Sequence, residues 1–224
     1  MDEGIRQGNS AWLGRIGYSE CYKLQKRIHL TRCEGNIPDT LLLLEHPPVI
    51  TLGRGFHPDN LLLLPKDYQE KGIEVAETDR GGDVTYHGPG QLVGYPIFDL
   101  NQHGRDLHKF LRDIEEAIIL ALAQFKINAR RFPPHTGVWV EDKKVCAIGI
   151  RVSRWVSMHG FALNVENDNF GFDTIIPCGI SSYGVTSISK LMGAKVTLEQ
   201  IKQPVISAFE HIFKLNFKEI VIDG

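Results

Sequence analysis

The chain has 224 residues, 42% of them hydrophobic, and a formal net charge of −2, so we expect one large domain over residues 1–224 with no general attraction to nucleic acid. Its longest apolar runs fall far short of the roughly 20 residues of a membrane-spanning helix, and its N-terminus lacks a signal or transit pattern, so we expect a cytoplasmic protein outside the membrane. The four cysteines show no zinc-ligand spacing, so we expect neither a metal site nor a disulfide.

The first half of the chain contains several strand-like runs and one amphipathic helix. The predicted elements are, in chain order, a strand at 11–17, a helix at 19–33, and strands at 40–44, 49–52 and 91–100. The four consecutive leucines within 40–44 are typical of a strand that is buried on both faces.

The second half contains the strongest helix pattern, at residues 105–125, where apolar side chains recur every three or four positions. Further predicted elements are a hairpin of strands at 136–141 and 144–153, a strand at 156–165, a helix that begins at a capping box at 197–200, and a closing strand at 218–222. Pro204 should kink this last helix or delay its start. Strands in runs with helices grouped between them indicate an α+β fold.

Residues 80–91 form an unusual glycine-rich segment, with four glycines and one proline in twelve positions. Val84, Thr85 and Tyr86 within it nevertheless favour a strand. Glycine allows positive φ and a close approach of another molecule to the main chain. The segment therefore reads either as one wall of a ligand pocket or as a tight hairpin with polar decoration.

Lys144 opens a strand that is otherwise apolar. With a period of two it shares a face with Cys146, Ile148 and Ile150. If that face is internal, the ammonium is partly buried and must find a partner or lose its proton. The alternative is an ordinary lysine in solvent at the end of a strand.

Two later segments also place reactive side chains beside glycine. His159 precedes Gly160 in an apolar strand, where it is either a base or a structural histidine. Cys178 lies between a proline and a glycine, in a bend that would expose a nucleophile and leave space for an incoming carbonyl. The other three cysteines fall within helix or strand patterns, where most cysteines are small buried hydrophobes.

The glycine-rich segment, the Lys144 strand, the His159 strand and the Cys178 turn occur in the order and spacing of the lipoyl(octanoyl) transferase family, which the chain resembles over about residues 40–189. The resemblance implies an α+β fold with a mixed sheet and flanking helices, like the catalytic domain of biotin and lipoate protein ligases. It also implies octanoyl transfer without a cofactor. The expected donor is octanoyl-acyl carrier protein, and the expected acceptors are the lipoyl domains of 2-oxo acid dehydrogenases and the glycine cleavage H protein.

By the same resemblance, Cys178 is the acyl-thioester nucleophile and Lys144 is its partner. The residues expected to line the substrate pocket are Arg80, Gly81, Gly82, Asp83, Val84, Thr85, Tyr86, His87, Ala147, Ile148, Gly149, Gly160, Phe161 and Ala162. The Lys144 ammonium would favour the thiolate, and neutral Lys144 would accept the proton of the acceptor amine in a ping-pong scheme. A local basic patch for the acidic carrier is expected among Arg130, Arg131, Lys143, Arg151 and Arg154.

Three other functions fit parts of this pattern. Residues 53–55 echo the glycine-rich loop of an ATP-dependent lipoate ligase, which would need no cysteine. A thiol hydrolase would pair Cys178 with His159 or His87 and release the free acid. A non-catalytic module that docks on acyl carrier protein would leave Lys144 and Cys178 without a role.

Overall fold

The computed structural model describes residues 4–167, 171–177 and 183–222, so Cys178 lies outside the described residues. The helices are α1 (Tyr18–Cys33), α2 (Pro65–Glu70), α3 (Leu107–Ala123), α4 (Ile188–Met192) and α5 (Leu198–Phe213). The strands are β1 (Arg6–Arg15), β2 (Thr40–Glu45), β3 (Val49–Leu52), β4 (Glu74–Glu77), β5 (Val84–His87), β6 (Gln91–Ile97), β7 (Arg130–Phe132), β8 (His135–Val140), β9 (Lys143–Ser153), β10 (Val156–Asn164), β11 (Gly184–Val185) and β12 (Leu215–Glu219).

The strands of the described ranges form one large and one small sheet. The main sheet has the order β12-β1-β2-β6-β10-β9-β8-β7, with β11 added along β9. The pairs β12–β1, β1–β2 and β9–β11 are parallel, and the others are antiparallel. The small sheet has the order β4-β3-β5. The mixed sheet with flanking helices confirms the predicted α+β class.

One face of the main sheet, here called the helix face, is covered by α3 and α5. Phe98, Phe110, Phe209 and Phe213 meet there with ring centroids 5.2 to 6.4 Å apart. The predicted capping box begins α5, since the Thr197 backbone N–H donates to a side-chain oxygen three residues later. Pro204 lies inside the helix, so it does not delay the start.

The opposite face, here called the cavity face, is covered by α1 and by the small sheet. Cys21 and Ile28 of α1 pack there against Leu42, Leu44 and Val93, as the predicted helix face requires. No helix of the described residues is long and apolar enough to cross a membrane.

Several bounds differ from the predicted ones for identifiable reasons. β1 begins at Arg6 rather than at residue 11, because residues 6–10 pair in parallel with β12 at the edge of the sheet. β6 ends at Ile97 rather than at residue 100, where a short 3₁₀ turn follows. The unpredicted elements α2, α4, β4, β7 and β11 are too short to show a period in the sequence.

Candidate active site

The cavity face holds a narrow cavity with a volume of about 50 Å³ between β5, β9, β10 and α1. Its lining residues are Tyr18, Arg80, Gly81, Gly82, Asp83, Thr85, His87, Tyr95, Ala147, Ile148, Gly149, His159, Gly160, Phe161 and Ala162. The structure thus brings three separate predicted segments around one space. The pocket interpretation of the glycine-rich segment fits this arrangement better than a decorated hairpin does.

Two members of the predicted set, Val84 and Tyr86, do not line this cavity. Both pack into the core under the small sheet, where the ring of Tyr86 lies 5.5 Å from that of Phe172. The reason is the period-two alternation of β5, which turns Thr85 and His87 to the cavity and the other two residues away from it.

The glycine-rich loop is held directly against β9. The Gly81 N–H donates to the Ile150 carbonyl oxygen at 3.0 Å, and Gly149 is paired with Gly160 across the β9–β10 ladder. A Cβ on Gly149 would meet the Gly81 carbonyl oxygen at 2.8 Å. Only glycine at this position lets the loop and the strand form a continuous wall.

Arg80 is built into the wall rather than extended into solvent. Its Nη2 donates to the Thr51 carbonyl oxygen at 2.6 Å, and its Nε donates to Thr51 Oγ1 at 3.1 Å. Its Nη1 donates to the Gly81 carbonyl oxygen at 3.0 Å. The guanidinium therefore ties the glycine-rich loop to the small sheet.

Two neutral histidines lie beside the cavity. His46 donates from Nδ1 to the Ile16 carbonyl oxygen at 2.7 Å and accepts from the Tyr95 hydroxyl at 2.9 Å. His87 donates from Nδ1 to Gln91 Oε1 at 2.8 Å. Burial lowers the pKa of His46 to about 4 and that of His87 to about 3. Both rings are therefore uncharged near neutral pH.

His159 is buried in the cavity wall with a left-handed φ of 58°. Its backbone N–H donates to Gln25 Oε1 at 3.0 Å, and its Nε2 donates to Asp79 Oδ1 at 2.8 Å. Arg151 donates to the other oxygen of that carboxylate. The hydrogen bond from His159 holds the pKa of Asp79 below its usual range, and burial lowers the pKa of His159 itself. The ring is thus a fixed part of the wall.

Lys144 is buried, with only 7% of the residue exposed. Its Nζ lies 4.9 Å from the centroid of the Trp139 ring. This burial agrees with the internal-face interpretation of the strand and excludes the solvent-exposed one. Burial raises the pKa of Cys21 to about 12 and also raises the pKa of Cys146, so neither thiol is suited to nucleophilic attack.

The chain on both sides of Cys178 is anchored at the site. Before it, the Ile176 N–H donates to the Asn60 carbonyl oxygen at 2.9 Å. After it, Val185 pairs in parallel with Lys144, and the Thr186 N–H donates to the Lys144 carbonyl oxygen at 3.0 Å. The described chain that follows residue 182 thus lies against the predicted partner lysine.

Three cavity residues were missed or undervalued at the level of sequence. Tyr18 and Tyr95 come from α1 and β6, outside the glycine-bearing segments, and His159 was not among the residues expected to line the pocket. The available signal was a tyrosine in the middle of the apolar β6 pattern, because a buried tyrosine hydroxyl usually needs a partner.

Comparisons of the sequence relate this chain to known proteins. A family model described as the lipoyl protein ligase A/B catalytic domain matches residues 17–210. An octanoyltransferase of Rubrobacter xylanophilus is 48% identical over 201 residues, covering 89% of this chain and 90% of that protein.

Solved structures share the fold. The lipoate protein ligase of a bipartite lipoylation system from Thermoplasma acidophilum has a TM-score of 0.77 at 16% identity, covering 97% of this chain and 88% of that chain. The biotin protein ligase of Aquifex aeolicus has a TM-score of 0.53 at 17% identity, covering 92% of this chain and 69% of that chain. These likenesses confirm the predicted architecture of the biotin and lipoate ligase catalytic domain.

Proposed function

The chain belongs to the lipoyl protein ligase A/B catalytic domain family, and we propose from this membership that it is an octanoyltransferase of protein lipoylation. The donor is octanoyl-acyl carrier protein, and the acceptor is one lysine of a lipoyl domain, as found in 2-oxo acid dehydrogenases and the glycine cleavage H protein. The near-full-length match to an octanoyltransferase supports the reaction. The archaeal ligase, which is described together with its E2 lipoyl domain, supports the class of acceptor.

The observation that carries the proposal is the placement of Lys144. It is the second residue of the strand whose residues Ala147, Ile148 and Gly149 line the cavity, and it pairs with Val185 in the chain that follows Cys178. An acyl chain in the cavity would therefore have its reactive end towards Lys144. The apolar wall suits an alkyl chain, since each buried methylene contributes about 0.8 kcal/mol.

In the first half-reaction, Lys144 takes the proton of the Cys178 thiol, and the thiolate attacks the carbonyl carbon of the carrier thioester. The new bond from Sγ to carbon forms, the bond from carbon to the carrier sulfur breaks, and Lys144 returns its proton to the leaving thiolate. Exchange of one thioester for another needs no ATP. Cys178 then carries the octanoyl group as a thioester.

In the second half-reaction, the acceptor lysine attacks the same carbonyl carbon as a neutral amine. The amide bond forms, the bond from carbon to Cys178 Sγ breaks, and Lys144 accepts a proton from the attacking nitrogen. The products are an octanoylated lipoyl domain and the ammonium–thiolate pair. One lysine thus moves the proton in both steps.

An ATP-dependent ligase is the nearest rival, because ligases share the fold. Residues 53–55 would have to present backbone N–H groups to phosphate in such an enzyme. Here these N–H groups donate to the carbonyl oxygens of Asp83, Arg80 and Gly82 at 3.0 to 3.1 Å. The N–H groups of this loop are already hydrogen-bonded to the glycine-rich segment, so they cannot also bind a phosphate, which argues against the ligase.

Intact mass spectrometry after mixing with octanoyl-acyl carrier protein, without ATP, tests the proposal. We expect a mass increase of one octanoyl group that hydroxylamine removes, that Cys178→Ala abolishes and that Cys146→Ala preserves. Loading that requires ATP and a free acid would establish a ligase instead. Release of octanoate to water would establish a hydrolase, and carrier binding without acylation would establish a docking module.

A further inference from the structure

A buried carboxylate stands on the helix face behind Lys144. Glu115 of α3 is 0% exposed. Its Oε2 accepts from Arg112 at 2.6 Å and from Arg131 at 3.1 Å. Its Oε1 accepts from the backbone N–H of Gly137 in β8 at 3.0 Å. A charged side chain in a helix core is unusual, and this one is fully hydrogen-bonded.

The Lys144 side chain packs along the main chain of Gly137. The φ of Gly137 is +124°, a conformation that residues other than glycine rarely adopt. A Cβ there would lie 2.6 Å from the Cys146 carbonyl oxygen and 3.5 Å from Lys144 Cε. The main chain at Gly137, which only glycine adopts without strain, therefore determines how close the lysine stem comes to β8.

The hydrogen bond from the Gly137 N–H to Glu115 holds Gly137 from outside the sheet. Two residues further along β8, Trp139 presents its ring to Lys144 Nζ at 4.9 Å. The β8–β9 pairing also shifts register between Val138 and Trp139. The sheet ladder alone thus leaves this stretch irregular, and α3 supplies the fixed point.

The negative charge of Glu115 is paired with two arginines. Arg112 and Arg131 both face its Oε2, whereas its Oε1 faces the neutral main chain of β8. Two cations thus meet one oxygen of the carboxylate, and the other oxygen holds the main chain of Gly137, which is the contact that links Glu115 to the Lys144 stem.

We infer that Glu115 is a positioning residue for Lys144, which acts by holding the Gly137 N–H so that the lysine stem meets the site at one fixed place. The inference rests on the proposed role of Lys144 in both half-reactions. It adds a residue from the centre of α3, far from the cavity-lining segments, to the residues that octanoyl transfer requires.

The test compares Glu115→Gln with Glu115→Met. Both variants remove the charge at nearly the same length, but only Gln keeps an oxygen for the Gly137 N–H. The side chains of Arg112 and Arg131 are 44% and 34% exposed, so they can turn to water in both. Glu116→Gln is the matched control, because Glu116 is the next residue on α3 and also binds Arg131.

Two readouts are taken per folded molecule: the pH profile of octanoyl transfer from the acyl-enzyme to a lipoyl domain, and the rate at which iodoacetamide alkylates Cys178. We expect Glu115→Met to slow both the transfer and the alkylation and to displace the pH profile of transfer. The loss of transfer should be about 10²-fold, which is the size of effect that a displacement of about 1 Å causes. Gln and the Glu116 control should keep the wild-type profile, with rates within about threefold, which is under 1 kcal/mol.

If Glu115→Gln and Glu115→Met gave the same pH profile and the same alkylation rate, after correction for the folded fraction, the inference would be overturned. If the Met variant does not fold, Glu115→Asp replaces it, since a shorter carboxylate drawn to the two arginines also loses Gly137. Lys144→Met and Cys178→Ala are measured alongside. Wild-type transfer in either would remove the proposed function, whereas an ineffective Glu115 change would remove the positioning role alone.

Discussion

The two faces of the main sheet bury very different side chains. The helix face is almost entirely apolar, with phenylalanine rings of α3 and α5 and the ring of Phe98, just after β6, packed against one another. The cavity face buries Gln25, His46, Arg80, His87 and His159. The same strands contribute to both faces, so the difference is one of partners rather than of propensity.

The difference shows how the fold divides stability from chemistry. Each buried polar group on the cavity face loses its hydration and regains only part of it through hydrogen bonds. The apolar helix face offsets that cost without constraining the cavity. Glu115 is a charged residue that is fully buried on the helix face, and it lies behind Lys144, where the two regions meet.

The largest expected effect comes from replacing Lys144, which lies where the two faces meet. Lys144→Arg keeps a positive charge but cannot lose its proton near neutral pH. We expect transfer to the lipoyl domain to fall by about 10²- to 10⁴-fold, the usual contribution of a general base. Single-turnover kinetics of the two half-reactions would measure this, with some acyl-enzyme still formed.

Lys143→Arg is the matched control, because Lys143 is the exposed neighbour on the same strand. It should leave both rates unchanged. Wild-type rates of both half-reactions in Lys144→Arg would remove the lysine from the mechanism and leave the cavity face as a binding surface only.

On the helix face, Phe209→Ala should affect stability without affecting chemistry. Phe209 is fully buried and stacks on Phe213 and Phe161. Its loss should lower the free energy of unfolding by about 3 to 5 kcal/mol. Denaturant unfolding measures this loss, and acyl loading per folded molecule should stay near wild type. A variant that is stable but slow would mean that the two faces are not separable.

On the cavity face, Gly82→Val should do the reverse. Gly82 has a φ of +83°, so a β-branched residue must displace the loop that forms the wall. We expect acyl loading to fall about tenfold or more, because small displacements at a site are costly, while the melting temperature falls by a few degrees. Gly72→Val is the control, since Gly72 has a φ of +67° at an open position away from the cavity. An equal loss of loading in both variants would contradict the pocket wall.

The sequence predicted the cavity face better than it predicted the partners within it. The glycines alone indicated the first wall segment, because close main-chain packing requires glycine whatever surrounds it, whereas the wall segments of β9 and β10 were predicted from the family resemblance. The alternation of β5 was visible, but which of its two faces met the cavity depended on how the small sheet packs. Val84 and Tyr86 were therefore assigned to the wrong side.

Residues that reach the site from distant elements were not predictable in this way. Gln25 binds the His159 N–H because α1 crosses the cavity face, and Asp79 reaches the His159 ring from the loop between β4 and β5. Glu115 left a readable trace, since it interrupts the apolar stripe of α3 four residues after Leu111. Its partner Gly137, by contrast, is an ordinary glycine in a strand pattern.

The two histidines of the cavity face should make stability depend on pH. Their pKa values in the folded protein are about 4 for His46 and about 3 for His87, below the ordinary value of about 6.5. The unfolded chain therefore binds more protons than the folded one as the pH falls below about 6.5. The stability from keeping them neutral is complete above that pH and is lost as the pH falls towards 4 and 3.

Each histidine contributes a slope of up to about 1.4 kcal/mol per pH unit. Denaturant unfolding between pH 7 and pH 5 should show a smaller slope in His46→Gln than in the wild type. His57→Gln, at an exposed position, should leave the slope unchanged. Identical slopes in the wild type and in His46→Gln would show that this ring is not kept neutral by the fold.

The smallest expected effect concerns recruitment of the acidic carrier from outside the cavity. Of the basic residues expected at this surface, Arg131 binds Glu115 and Glu116, and Arg151 binds Asp79. Their charges are largely compensated within the chain. The expected basic patch then consists of Arg130, Lys143 and Arg154, of which Arg130 and Lys143 lie at the β7 and β9 strands beside Lys144.

Rim charges mainly set the association rate, and salt screens them over about 10 Å at 0.1 M. We therefore expect loading from octanoyl-acyl carrier protein to slow a few-fold between low salt and 0.5 M salt, and Arg130→Glu with Lys143→Glu to reproduce that slowing at low salt. A small uncharged octanoyl thioester should load at a rate nearly independent of salt, because its only requirement is the cavity. Equal salt dependence for the two donors would mean that the carrier docks elsewhere than at Arg130 and Lys143.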